Sequence, residues 1–498
     1  MRWPLQFTVV LLALPLYAQS NAGELRLKVA DPHGLGVKAS VTITSDAAQL
    51  HRSLATDDAG SLIARNLLFG AYRLTVESGG FSPFSGIIEI RSALPTEYRV
   101  DLSIAALSTA VNVTGEIPLL DPEQSGSANH LDEQAIADRP ASLPGRSVVD
   151  LVDSQPGWLY EGNAVLHPRG SEYQTQFVVD GIPLTDNRSP GFGPEIEADD
   201  LDSLTIYTAG IPAEYGRKMG GVIEVNTLRD EQPGLHGEAV FSGGSFDTAG
   251  AFAQAQYGWG HNTLGISATG NMTAHYLNPV VPENYTNRGT TGDFALSYNR
   301  DFTPKNRLTL SVRHELARYQ IPNEQVQEDP QLQDPAPPPG TPPQRQTADN
   351  FETTGIASYR HIFSPNILLD VRGMVRENSN DFNSNSSSWP IIVLQHNDFN
   401  EGYFNGSISV HHAHHEWKAG LESDNLFLHE NYSDIITASL IPNQTTGTCY
   451  PFDCNTAPTF GFAGNRPDLE QAAFVQDLIH YGNWTIDAGL RWDHYQLL

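Results

Sequence analysis

From Gly23 to about Ile104, apolar side chains return at every second position. Leu25, Leu27 and Val29 share one face; Val41 and Ile43 follow, then Tyr72, Leu74 and Val76, then Ile88 and Ile90. Turn residues separate the runs: Asp31-Pro32-His33-Gly34, Asp57-Asp58-Ala59-Gly60 and Gly79-Gly80. Period two between turn signals predicts short half-buried strands, and their regular spacing predicts a small β-sandwich over residues 23–104. The pattern then lapses into a polar linker, residues 105–128. Within it, Ser108–Thr114 reads either as an exposed strand able to join a partner's sheet or as solvated chain.

Residues 129–230 mix two periods. Asp150-Leu151-Val152 falls in a predicted helix, and Phe177-Val178-Val179 in a strand ended by the turn pair Asp180-Gly181. Leu204–Tyr207 and Val222–Val225 are predicted strands flanking Ile211-Pro212-Ala213-Glu214-Tyr215-Gly216-Arg217 and the pair Gly220-Gly221. Glycine beside charge in a loop predicts tight turns that set charged groups in place.

From residue 231 to residue 498 alternation returns in longer runs. Trp484, Ile486, Ala488, Leu490 and Trp492 face one way; Thr485, Asp487, Gly489 and Arg491 face the other. Leu264, Ile266 and Ala268, then Leu308, Leu310 and Val312, then Ile367, Leu369 and Val371 repeat the pattern. Eleven such strands are predicted, centred near Val240, Ala253, Ile266, Leu296, Leu310, Ile356, Leu369, Ser407, Ala419, Val475 and Ala488. Short turns alternate with long loops near 272–291, 316–351, 376–402 and 426–469, the signature of a transmembrane antiparallel β-barrel. The long loops are the expected ligand surface, with Phe382 and Trp389 as stacking groups.

Composition narrows the function. The chain has 498 residues and a formal net charge of −29, which argues against a nucleic-acid partner. No apolar run is long enough for a membrane-spanning helix, a test that barrel strands escape. Met1–Ser20 carries Arg2, an apolar stretch and small residues before two cleavage points, Ala18 and Ala22, so residues 1–22 read as a signal peptide. Export makes a bond between Cys449 and Cys454 feasible, although their spacing does not separate a disulfide from two thiols. Two metal-like patterns are discounted. His411, His412, His414 and His415 with Glu416 fall at a short turn where neighbours diverge, and His130-Leu131-Asp132-Glu133 is an isolated HxxE. No catalytic residue, metal or cofactor is assigned. A secreted carboxypeptidase-like enzyme is the remote alternative, and a non-transporting adhesin or structural barrel the nearer one.

Two resemblances sharpen this reading. The order GELRLKVADPHGLGVKASVTI, TDDAGSL and LLFGAYRLTV resembles the carboxypeptidase regulatory-like, transthyretin-like sandwich, which implies a structural or docking module. Leu166-His167-Pro168-Arg169-Gly170, then Phe177–Leu184, then Ala213–Val225 resemble the plug of a TonB-dependent outer-membrane receptor. A departure is Tyr207-Thr208-Ala209-Gly210, where the family usually carries a charge. The resemblance implies a mainly β protein: sandwich, mixed α/β plug, then about half of a barrel. It implies an outer-membrane transporter for a siderophore, cobalamin or oligosaccharide, energised by the TonB complex of the inner membrane and embedded in outer-membrane lipid. Plug residues Arg169, Gly170, Asp180, Gly181, Glu214, Tyr215, Gly216, Arg217, Gly220 and Gly221 would carry the motif, with Arg169, Asp180, Glu214 and Arg217 as buried charges bridging to the barrel. Ala110, Val111, Asn112, Val113 and Thr114 would contact TonB. A plug-enclosing barrel needs about 22 strands, so eleven imply a C-terminally truncated receptor.

Overall fold

The computed structural model describes residues 22–45, 50–105, 127–140, 142–160, 166–169, 175–184, 196–216, 220–227, 233–278, 282–333, 336–437, 459–482 and 484–497. The signal segment up to Asn21, Ala110–Thr114, Gly170, Arg217, Cys449 and Cys454 lie outside the described residues.

Seven strands come first: β1 (Ala22–Ala30), β2 (Ser40–Ser45), β3 (Leu50–Ala55), β4 (Ser61–Leu68), β5 (Gly70–Glu77), β6 (Phe84–Ile90) and β7 (Pro95–Asp101). They form two sheets, β4-β1-β7 and β3-β2-β5-β6. The alternating apolar positions meet between them: Leu25, Leu27, Val29, Val41, Ile43, Tyr72, Leu74, Val76, Ile88 and Ile90 make one buried core.

The next unit contains β8 (Ser127–Asp132), α1 (Glu133–Ala137), α2 (Ser147–Asp153), β9 (Trp158–Tyr160) and β10 (Leu166–Pro168). It continues with β11 (Thr175–Val179), β12 (Ile182–Leu184), β13 (Ser203–Ala209) and β14 (Gly221–Asn226). Its five-stranded sheet runs β12-β11-β14-β13-β8, with β11 and β14 parallel. Leu131, Val152, Ile182, Leu204, Ile206 and Ile223 close its core. We refer to this unit as the plug, because it packs against the inner face of the large sheet.

That sheet has eleven strands in chain order, each antiparallel to the next. They are β15 (Gly234–Gly244), β16 (Thr248–Trp259), β17 (Asn262–Thr273), β18 (Gly289–Thr303) and β19 (Asn306–Gln320). Then come β20 (Gln346–Ser364), β21 (Ile367–Ser384), β22 (Ile391–His412), β23 (His415–Ile436), β24 (Thr459–Tyr481) and β25 (Trp484–Leu497). Each predicted centre lies in its own strand. The sheet is a partial barrel with two distinct faces. Leu264, Ile266, Leu310, Val312, Leu490 and Trp492 are exposed outside, whereas Ser267, Thr309, Glu315, Arg376, Glu401 and Lys418 point inward and are buried.

The loops differ from expectation. Strands run into the connections predicted at 272–291, 316–351, 376–402 and 426–469: β18 begins at Gly289, β19 ends at Gln320 and β20 begins at Gln346, β21 ends at Ser384 and β22 begins at Ile391, and β23 ends at Ile436 and β24 begins at Thr459. The reason is that ladder hydrogen bonds do not require apolar side chains. Asn350 pairs with Asn380, and Asn380 with Asn397, so polar chain stays in register past the apolar belt. Phe382 therefore lies on β21 rather than in a loop, half-buried against Tyr276, Tyr319 and Ala348. Trp389 stays in a connection, half-buried, its backbone N–H donating to Gln344 Oε1 at 2.8 Å.

The outward face generates a test. Leu310 is exposed on the outer face, which a transmembrane barrel turns to lipid, so Leu310→Arg should cost roughly 2–4 kcal/mol in urea titrations of the chain refolded into vesicles. Unchanged stability would remove that face from the lipid.

Candidate functional site

The site forms where plug turns meet charged side chains on the inner face of β21–β25. It begins with local geometry. Asp180 and Gly181 both have positive φ, 49° and 78°, as the two central residues of a tight β11–β12 hairpin require. The Asp180 carboxylate accepts from Thr227 N–H at 2.9 Å and Thr227 Oγ1 at 2.7 Å. Its role is thus to fasten the turn to the end of β14. Gly181 brings backbone beneath the Arg372 guanidinium, where a Cβ would lie 2.7 Å from Arg372 Cζ.

The second contact is the loop Ile211–Gly216. Glu214 pairs with the buried ammonium of Lys418 on β23. Its backbone N–H donates to Gln476 Oε1 at 3.1 Å, and its carbonyl accepts from Arg491 Nη1 at 2.7 Å. Arg491 is held in turn by Glu422 at 2.8 Å and Asp493 at 2.8 Å. Gly216 makes room for it: a Cβ there would sit 2.0 Å from Arg491 Nε. Because Nε is bonded to Asp493 and the terminal nitrogens to Glu422, a larger residue would have to dislodge the guanidinium. Tyr215 turns back into the plug, its ring 5.8 Å from that of Tyr207.

Gly181, Glu214, Tyr215 and Gly216 consequently line one narrow cleft with Arg372, Tyr403, Asn405, Glu422 and Arg491. Segments more than thirty residues apart along the plug are brought together there. Gly220 and Gly221 lead into β14 instead, where Gly221 lies under Trp158. Arg169 departs from the expected buried bridge. It occupies a left-handed position, φ 50°, after β10; its side chain is exposed, lies against Gly157 and has no ion pair among the described residues.

Further ties surround the cleft. Arg313 on β19 joins Asp200 of the plug to Asp293 of the barrel. Asn271 on β17 donates to Glu197 at 2.9 Å, and Arg146 Nη2 donates to the Tyr276 carbonyl at 2.7 Å. The barrel-side partners Arg372, Lys418, Glu422 and Arg491 carry the geometry, yet the motifs do not reveal them. Their signal in the sequence is a charge on the inward side of an alternating strand.

The plug strand β14 adds a titrating group. Burial, together with the neighbouring Glu214, pushes the Glu224 carboxyl up to about 7, while Tyr207 donates to it at 3.4 Å. The discounted histidines lie at the short β22–β23 turn, His411 against Glu416 and His415 against Asp477 at 2.8 Å. His130 is buried on β8, its Nδ1 3.0 Å from Thr205 Oγ1, and burial next to Arg52 lowers its pKa to about 3.

Comparisons with known proteins agree with this architecture. Residues 277–498 match the family described as "TonB dependent receptor-like, beta-barrel". The TonB-dependent transporter Oar of Myxococcus xanthus is 28% identical over 212 residues, 41% of this chain and 20% of that protein. Among solved structures, the unliganded ferric citrate transporter FecA superposes with a TM-score of 0.58 at 13% identity, covering 75% of this chain and 56% of that one. The siderophore receptor PiuA of Acinetobacter baumannii gives 0.54 at 14%, covering 75% and 58%. The chain thus spans a fifth of the length of Oar and just over half of each solved chain.

Glu224 generates a pH test. The folded state binds its proton up to about pH 7, whereas an ordinary glutamate has released it above about 4.5. Stability contributed by the plug should therefore fall as pH rises through that window. Hydrogen exchange of β13 and β14 should quicken from about pH 5 to about pH 8, after correction for intrinsic rates, and Glu224→Gln should flatten the change.

Proposed function

We propose that the chain is an outer-membrane, ligand-gated transporter driven by the TonB complex, a reading supported by the match of residues 277–498 to the TonB-dependent receptor-like barrel family. The observation that carries this reading is the Glu214–Gly216 loop, held in the lumen by Lys418 and Arg491. An unlinked, packed wall would serve an adhesin. A plug tied by ion pairs has a function only if the ties are sometimes released.

In this scheme ligand binds between the outer connections and the plug. Its class is a small nutrient such as a siderophore, cobalamin or oligosaccharide. Residues 105–128, with Ala110–Thr114 as the contact strand, transmit the pull from TonB to β8. The sandwich, read as carboxypeptidase regulatory-like, lies on the periplasmic side with the short turns. Phe382 and Trp389 stand at the outward ends of β21 and β22, where Phe382 braces the Tyr276–Tyr319 stack rather than meeting ligand as a free ring. No residue is assigned to catalysis and no cofactor is required.

Displacing the plug separates each ion pair but lets water take both partners. Removing one partner alone strands a buried charge, at a cost of about 3–5 kcal/mol. Lys418→Ala should accordingly loosen the plug more than the double replacement with Glu214→Ala.

Radiolabelled ferric siderophores, cobalamin and malto-oligosaccharides, supplied to cells expressing the chain with and without a proton gradient, test the proposal. Gradient-dependent accumulation of one probe is expected, and deletion of Ala110–Thr114 should abolish it while leaving surface binding intact. Accumulation that ignores both the gradient and the deletion would favour a passive barrel.

A further inference from the structure

The sandwich does not hang free of the other two units. Arg52 on β3 is buried and reaches Asp202 of the plug at 2.9 Å, and the His51 backbone N–H donates to Asp132 Oδ2 at 2.7 Å. Asp132 ends β8 and also caps α1 by accepting from Ala135 N–H at 2.8 Å. Asp132 and Ser203 are register partners, so both plug acids stand at the same end of β8 and β13. The sandwich thereby grips the edge strand into which residues 106–126 lead.

The same module holds the barrel. Arg307, beside the short β18–β19 turn, reaches Glu24 at 3.0 Å, and Arg65 of the sandwich reaches Asp301 at 3.1 Å. Burial alone would raise the Glu24 carboxyl, but Arg307, Arg65 and Arg26 outweigh it and hold its pKa at about 2. An apolar contact completes the hold: Ala93 and Leu94 pack on Ile362 and Leu368, beside the β20–β21 turn. Leu478, near the end of β24, joins the sandwich core itself.

One rigid module therefore spans the seam between plug and barrel, with separate ionic anchors on each side. We infer that the sandwich is a clasp in cis: it ties plug to barrel rim, and the plug can move only after Arg52 and His51 release Asp202 and Asp132. This inference rests on the transporter reading for its purpose, but not for its physical content. The anchors suit reversible use. On undocking, each charge gains water, and Glu24 keeps Arg26 at 2.7 Å. An apolar interface of similar extent would leave a wet hydrophobic patch on both units.

The full chain in nanodiscs, with Cys449 and Cys454 replaced by Ser, tests the clasp without ligand or uptake. Spin labels at the exposed positions Ser53 of the sandwich and Ala137 of the plug report whether the two are docked, and hydrogen exchange of residues 127–132 and 203–209 reports the plug. The intact chain should give one narrow distance. Arg52→Ala and, separately, Asp202→Asn, which leaves the sandwich sequence intact, should broaden it and raise plug exchange by about tenfold. The swap Arg52→Asp with Asp202→Arg should restore both readouts. A broadened distance with unchanged plug exchange overturns the clasp, as does a narrow distance in both single variants. A barrel that never accumulates a probe could still pass, so failure here and failure of the transport reading are separable.

Discussion

Each strand of the large sheet must satisfy two environments at once, and the rest of the molecule follows from that constraint. With period two, the side chains that meet lipid fix where the intervening ones point. Leu310 and Val312 are exposed outside, so Thr309 and Arg313 must face the lumen. A lumen lined by such residues cannot hold a plug by apolar contact alone. It offers hydrogen bonds and charge, and the plug answers with Glu214, Asp200 and Glu197.

Buried ion pairs are a weak source of net stability, because desolvation offsets most of the attraction. They are nevertheless demanding about geometry, and that demand shaped the plug. Gly181 and Gly216 are where guanidinium groups of Arg372 and Arg491 come within a Cβ's width of the backbone. The tight turn at Asp180-Gly181 and the loop ending at Gly216 deliver backbone, rather than side chain, to these positions. Specificity of seating thus comes from absent side chains as much as from charged ones.

Legibility from the sequence followed the range of the interactions. The sandwich core and the eleven barrel strands were readable because alternation is local, and Leu25 or Leu310 needs only its near neighbours to declare a face. Strand ends were not readable, since β21 and β22 persist through Asn380 and Asn397 on backbone pairing alone. The cleft was half-legible. Glu214 and Gly216 stand out in a glycine-and-charge loop, but Lys418 lies 204 residues from Glu214, and no local pattern links them. Arg169 misled for the complementary reason: its motif is local, whereas its exposure depends on the direction of a single left-handed turn.

The division of labour between apolar and polar contacts explains how such a plug could move while staying folded. Its core closes on itself through Leu131, Val152, Ile182, Leu204 and Ile223, with Ile356, Met374 and Tyr403 the barrel side chains that join the cluster. Burial at about 25 cal/mol per Å² therefore stabilises the plug internally far more than it glues the plug to the wall. At the wall, polar groups can exchange protein partners for water with little net change. Moving the plug as a body then costs much less than unfolding it, provided every tie yields together. Ties that yield singly leave stranded charges, so the seam favours concerted release over gradual loosening. The sandwich contacts at Asp132 and Asp202 belong to the same class of tie. They hold the Asp132 end of β8, opposite the Ser127 end at which the preceding residues join the strand, so β8 itself couples the two.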